Sequence, residues 1–158
     1  MAVEINLLLP DDADILRHVA PGTFDDPLDA RASQEFLSDA RHHLAVAIED
    51  SVVVGFTSAV HYVHPDKEHP ELWINEVQVA PTHRAHGLGR AILEKILERG
   101  RELGCTEAWV LTDPDNVAAK RLYSSAGGVE KVHNEIMFTF PLGTNEKRPN
   151  EDPDAKKT

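Results

Sequence analysis

From Trp73 to Leu103 the chain reads WINEVQVAPTHRAHGLGRAILEKILERGREL. An apolar strand runs into Ala80-Pro81, then into a loop carrying Arg84, Gly87 and Gly89, and then into a long amphipathic helix over about residues 87–103. Strand, glycine loop and helix in this order build an anion cradle. Glycine lets the backbone approach closely, unpaired N–H groups at the helix start point outward, and the helix dipole favours negative charge there. Arg84 adds a forked donor suited to phosphate oxygens. His83 and His86 flank it and could serve as weak cations or as plain surface residues. R-x-x-G-x-G is neither a P-loop, which carries Lys-Ser/Thr, nor G-x-G-x-x-G.

The rest of the chain reads as a mixed α/β domain. VEINLLL is a first strand ended by Pro10, and Asp11 or Asp12 caps a short helix through about Val19. A second helix spans about Leu28 to Arg41. HLAVAIED and VVVGFTSAVHYV form a hairpin through Asp50-Ser51, and ELWINEVQV is the strand before the loop. In the long helix Leu88, Ile92, Leu93, Ile96, Leu97 and Leu103 line one face, and charged residues cover the other. EAWVLT is a strand, VAAKRLYSSA a helix, and EKVHNEIMFTFPL a strand or strand pair. Residues 1–143 make one domain of mixed sheet with helices on both faces. The polar stretch 144–158 has no apolar residue but Ala155 and is expected to be a disordered tail.

Charge narrows the partners. Residues 1–50 hold eleven acids against three arginines, in a chain of net charge −11. Such a surface repels nucleic acid and anionic lipid and attracts cations, unless it serves solubility alone. No run of about 20 apolar residues could span a membrane, and the N-terminus has no basic start of a signal peptide. Cys105 is the single cysteine, which fits a reducing cytoplasm. His61, His64 and His69 lack a recognised ligand spacing, so no metal is expected.

Two groups of residues could carry chemistry. Glu76 interrupts an apolar strand, where a carboxylate is costly without partners or a task. It is a candidate general base, or a strand-end acid facing water or an arginine. Asn116, Ala119 and Tyr123 follow each other at three- and four-residue steps, hence on one stripe of their helix. There Tyr123 could protonate a leaving thiolate; alternatively Asn116 is an N-cap and Tyr123 a core residue.

V-A-P-x-x-R-x-x-G-x-G from Val79 to Gly89, a long helix, and N-x-x-A-x-x-L-Y-x-x-x-G from Asn116 to Gly127 together resemble the GCN5-related N-acetyltransferases, the GNAT superfamily. The resemblance implies a mostly antiparallel sheet with strands splayed around acetyl-CoA. The pantetheine arm would pair with the main chain of Val77, Gln78 and Val79. The pyrophosphate would lie on Arg84, Ala85, His86, Gly87, Leu88, Gly89 and Arg90. Asn116, Ala119 and Tyr123 would line the other side, with Glu76 as base, Tyr123 as acid and a backbone N–H near Val77 on the carbonyl oxygen. Where two adjacent basic residues are usual, this loop has His83-Arg84-Ala85-His86.

HYVHPDKEHPELWINEVQVAP, with its Y-V-x-P segment, and the run Met137 to Phe140 are similar to the type I aminoglycoside 3-N-acetyltransferases. Acids that hold ammonium groups in those enzymes are replaced by Asn116 and Val117, with Asp113 and Asp115 nearby. The resemblance implies acceptor contacts at Tyr62, Glu76, Asp113 and Asp115, a small cationic amine as substrate, and a homodimer. Two other functions fit the same motifs: acetylation of a peptide or protein amine, and a non-catalytic acyl-CoA-binding module.

Overall fold

The computed structural model of the chain describes residues 2–132 and 134–143. Its elements in order are β1 (Glu4–Leu7), a 3₁₀ helix (Pro10–Arg17), α1 (Ala30–Ser38), β2 (His42–Glu49), β3 (Val52–Tyr62), β4 (Glu71–Val79), a 3₁₀ turn (Pro81–His83), α2 (Leu88–Glu102), β5 (Glu107–Val110) and α3 (Val117–Ser125). The five strands form one sheet in the order β1-β2-β3-β4-β5. Every pairing is antiparallel except that of β4 with β5.

Alternation along β2 and β3 sorts the core into two layers, because successive side chains point to opposite faces. Leu44, Val46 and Phe56 face α1 and the 3₁₀ helix, packing with Leu8, Leu16 and Leu37. Ala45 and Ala59 face α2, packing with Leu72, Ile74, Leu93 and Ile96. Ile92 and Ile96 are fully buried; at roughly 1.5–3 kcal/mol per buried aliphatic side chain, this stripe holds α2 to the sheet. Gly100 lets the helix sit close, since a Cβ there would come within 2.9 Å of Leu72 Cδ2.

The hairpin between β2 and β3 forms as expected without an Asn-Gly turn. Asp50 and Ser51 both adopt positive φ, 49° and 66°, the backbone whose twist matches the flanking strands. The early helices are shorter than the sequence suggests. The first is 3₁₀ and ends at Arg17, and Asp12 accepts from the Leu9 N–H at 2.7 Å. The second starts after Asp29, which caps Ala32, and stops at Ser38. There Asp39 turns to clasp Arg41 at 2.8 Å.

The expected C-terminal strand does not form: none of the described residues from Val129 to Leu142 belongs to a strand. Alternation alone makes no strand, because a ladder needs a partner edge. The polar stretch 144–158 lies outside the described residues. Among the described residues no helix is long and apolar enough to cross a membrane.

Candidate active site

The parallel ladder between β4 and β5 ends at Ile74 and Val110. Beyond it β4 continues to Val79, paired only with β3. The Val77–Val79 main chain therefore has no strand partner on the β5 side, and this free edge leads directly to the helix start. A bulge sits at the same place: Ser58 pairs with Glu76 and Ala59 with Ile74, leaving Asn75 extra. Bulges re-aim side chains. Here Val77 and Val79 pack toward α2, and Glu76 turns to the other face.

At the loop, Gly87 has φ 76° and is the N-cap of α2, with no side chain capping the first turn. The N–H groups of Leu88, Gly89 and Arg90 are thus open to an anion. Arg84 is exposed, and its Nε donates to the Val79 carbonyl at 3.2 Å, which anchors the guanidinium beside that opening. Ala85 shares the left-handed backbone, φ 64°, and His86 is exposed. Two expected cations are otherwise engaged. His83 bonds to Glu49, and Arg90 donates to Glu94 at 2.8 Å.

Asn116 caps α3, its Oδ1 accepting from the Ala119 N–H at 3.0 Å. Its amide nitrogen remains able to donate. Asn116→Ala is expected to cost about 1 kcal/mol of stability in urea denaturation, the usual worth of such a cap. Half-buried Tyr123 packs on the Leu72–Ile74–Leu93 layer, as do Val77 and Val110 from either side of the splay. Its burial raises the phenol above its ordinary range, so it stays protonated at neutral pH. Among the described residues its hydroxyl has no hydrogen-bond partner, which separates it from a tied-off core tyrosine.

On the opposite face lies an open cavity of about 440 Å³. Phe24 and Phe56, stacked at 3.9 Å, form part of its wall. Asp25, Asp26, Asp29 and Glu76 give it four acids. Asp29 is also the α1 cap, and Asp25 accepts weakly from Gln78 Nε2 at 3.4 Å. Desolvation, and then the charge of Asp25, push the Glu76 carboxyl above the ordinary glutamate range. Glu76 is therefore the residue whose main chain borders the free edge of β4 and whose side chain enters the acidic cavity. A carboxylate so placed can accept a proton from a cation held there.

Three of the expected acceptor contacts lie elsewhere. Asp113 and Asp115 are exposed in the loop before α3 and do not line the cavity. Tyr62 donates to Glu71 at 2.9 Å and accepts from Trp109 Nε1 at 2.7 Å. That network, with Lys67 and His64 on the same carboxylate, holds Glu71 down to about 2. It ties the β3–β4 connection to β5, so Tyr62 serves the scaffold. The cavity acids Asp25, Asp26 and Asp29 escape a reading by motif. Their only sign in the sequence is the acid run of the loop FDDPLD.

The family model of the acetyltransferase (GNAT) family matches residues 13–127. The aminoglycoside N(6')-acetyltransferase type 1 of Salmonella typhimurium is 27% identical over 101 residues, 61% of this chain and 69% of that protein. The L-2,4-diaminobutyric acid acetyltransferase of Nocardia farcinica is 31% identical over 102 residues, 62% of this chain and 51% of the relative. Among solved structures, an aminoglycoside acetyltransferase from an uncultured soil metagenomic sample superposes with a TM-score of 0.73 at 24% identity, over 90% of this chain and all of that one. An aminoglycoside N-acetyltransferase solved in complex with CoA gives 0.68 at 22% identity, over 89% of this chain and 96% of the other.

The expected likeness to the 3-N enzymes is not supported, since the aminoglycoside relatives carry the N(6') designation. The acids that likeness drew on, Asp113 and Asp115, stand outside the cavity.

Proposed function

The chain belongs to the acetyltransferase (GNAT) family and is an N-acetyltransferase, and we propose that it moves an acetyl group from acetyl-CoA to a primary amine of a small polycationic acceptor. The observation that carries this reading is the double position of Glu76, between the unpaired edge of β4 and a cavity holding Asp25, Asp26 and Asp29. An aminoglycoside and a diaminobutyrate are the acceptors that the relatives' names give. Both are small molecules with more than one amine, which suits four acids around one opening.

The residues fit the donor. The Val77–Val79 main chain offers amide partners to the pantetheine arm. The first-turn N–H groups of α2 with Arg84 suit the pyrophosphate, and Asn116, Ala119 and Tyr123 line the far wall. His86, Ala85 and Arg90 complete the loop, Arg90 with a charge partly satisfied by Glu94.

In the reaction the amine must first be neutral. Glu76, directly or through water, takes its proton; the amine nitrogen attacks the thioester carbonyl carbon, and the C–N bond forms. A backbone N–H near Val77 stabilises the oxygen that gains charge. The C–S bond then breaks, Tyr123 donates its hydroxyl proton to the sulfur, and the nitrogen gives up its extra proton, which returns through solvent to the phenolate, leaving the neutral amide and free CoA thiol. Holding amine and thioester in line supplies much of the acceleration.

Gly87→Ala tests the donor side alone. A Cβ there meets no neighbour, so only the left-handed φ is penalised, at about 1–2 kcal/mol. The loop relaxes away from the anion, and KM for acetyl-CoA is expected to rise about tenfold with kcat little changed. A KM unaltered within error would remove the loop from the donor site. Steady-state thiol release with acetyl-CoA and varied amines measures both constants.

A further inference from the structure

Glu49 is an acid beside a loop that suits an anion. It is the last residue of β2 and pairs with Val52 across the tight turn at Asp50-Ser51. Its side chain bonds to His83 Nε2. That hydrogen bond, ahead of the nearby histidine charges, holds Glu49 below the ordinary glutamate range. Glu49 is therefore ionised at neutral pH and can only accept, so the shared proton sits on Nε2. A carboxylate here repels a pyrophosphate on the same loop, and charge alone gives it no place.

The bond fixes a ring, and the ring fixes a bend. The other ring nitrogen of His83, Nδ1, lies 2.8 Å from Thr82 Oγ1, so both edges of the imidazole are engaged. The His83 and Glu49 side chains are only 24% and 26% exposed, which leaves less water to compete for the bond. His83 ends the 3₁₀ turn, and its backbone is tied down: the Ala80 N–H donates to the Val54 carbonyl and the His83 N–H to the Ala80 carbonyl, both at 2.8 Å. Beyond it the chain passes through two left-handed residues, Ala85 at φ 64° and Gly87 at φ 76°, before the open N–H groups of α2. Such backbone is costly for alanine and persists where the surroundings hold it.

We propose that Glu49 is a positioning residue of the donor site: it touches no substrate, and by clamping His83 it holds the loop from Arg84 to Gly87 in the shape that receives the pyrophosphate of CoA. The identity of the anion rests on the acetyltransferase reading above. His83 then serves the loop through Glu49, and not as a ligand of phosphate.

Isothermal titration of the full chain with CoA tests this without acceptor or turnover. Glu49→Ala removes a negative charge near an anion site. By charge alone it tightens binding; by loss of the clamp it weakens binding. The expected result is a Kd for CoA raised about fivefold, the usual worth of one hydrogen bond. Glu49→Gln loses the charge but keeps an oxygen that accepts from Nε2–H, so its Kd should stay within about twofold of the wild type. His83→Ala should match Glu49→Ala, and the double variant should be no weaker than either, because the two side chains act as one unit. A Kd for Glu49→Ala equal to or below the wild-type value overturns the proposal. So does a Glu49→Gln variant as weak as Glu49→Ala, or a double variant whose losses multiply. A merely structural role would lower Tm and leave Kd unmoved at a temperature well below it. If Glu49→Ala does not fold, Glu49→Thr, also too short to reach His83, takes its place. A wild-type chain that does not bind CoA overturns the donor site itself, a failure distinct from that of the clamp.

Discussion

Tyr123→Phe is expected to lower kcat roughly 100-fold, the lower end of what a positioned general acid contributes, while KM for acetyl-CoA changes by less than about twofold. The substitution removes one oxygen from a side chain whose ring packs on the Leu72–Ile74–Leu93 layer. The ring, and so the wall of the splay, stays. The hydroxyl makes no bond within the described protein, so its loss leaves no partner unsatisfied and stability should be unchanged. What disappears is the proton for the departing sulfur. The effect should shrink for a thioester analogue with a more acidic thiol, which needs no protonation to leave. A kcat equal to that of the wild type would end the acid role. A KM increase without a kcat loss would make Tyr123 a binding residue.

Glu76→Gln should reduce kcat/KM at neutral pH by a similar factor, about 100-fold, and it should change the shape of the pH profile. As the proposed base, Glu76 works as the carboxylate. Because desolvation and Asp25 raise its pKa, activity should climb with pH through a value above the ordinary glutamate range. The glutamine variant should lose that acidic limb and depend instead on the fraction of free amine, with its rate still rising at higher pH. The stability sign is opposite. A carboxyl whose pKa is raised by folding favours the fold at low pH and opposes it once ionised. Glu76→Gln should therefore leave Tm at neutral pH equal or slightly higher. Reduced activity in a protein of equal or greater stability is the signature of a residue kept for chemistry. A lower Tm, or an unshifted pH profile, would count against the base role.

The elements proposed to hold the donor could be read from the sequence because they are local. Strand, Gly87 and α2 are consecutive, and the stripe Asn116, Ala119, Tyr123 follows from helical spacing alone. Glu76 stood out for the same reason, as an acid in an apolar strand. The acidic cavity proposed for the acceptor was not legible, because it depends on which distant segments meet. The loop with Asp25 and Asp26 reaches Glu76 only after β3 and β4 pair around the bulge at Asn75. A one-residue bulge switches the face that later side chains take, and no local pattern announces it. Tyr62 shows the reverse case: a phenol in a suggestive motif whose hydroxyl is committed to Glu71 and Trp109. The C-terminal alternation misled: a strand was expected there, but none of the described residues from Val129 to Leu142 joins a ladder, because alternation alone supplies no edge to pair with.

Thiol release tests the proposed acetyl transfer most directly. Purified full-length protein is mixed with acetyl-CoA and, separately, with aminoglycosides, a diaminobutyrate, polyamines and short peptides, and free CoA is followed with time. Saturable release is predicted with at least one small polyamine, at a rate that falls when Glu76 or Tyr123 is replaced. Release with peptides alone would contradict the small-amine acceptor. CoA binding without release above background for any amine would contradict the proposed acetyl transfer itself.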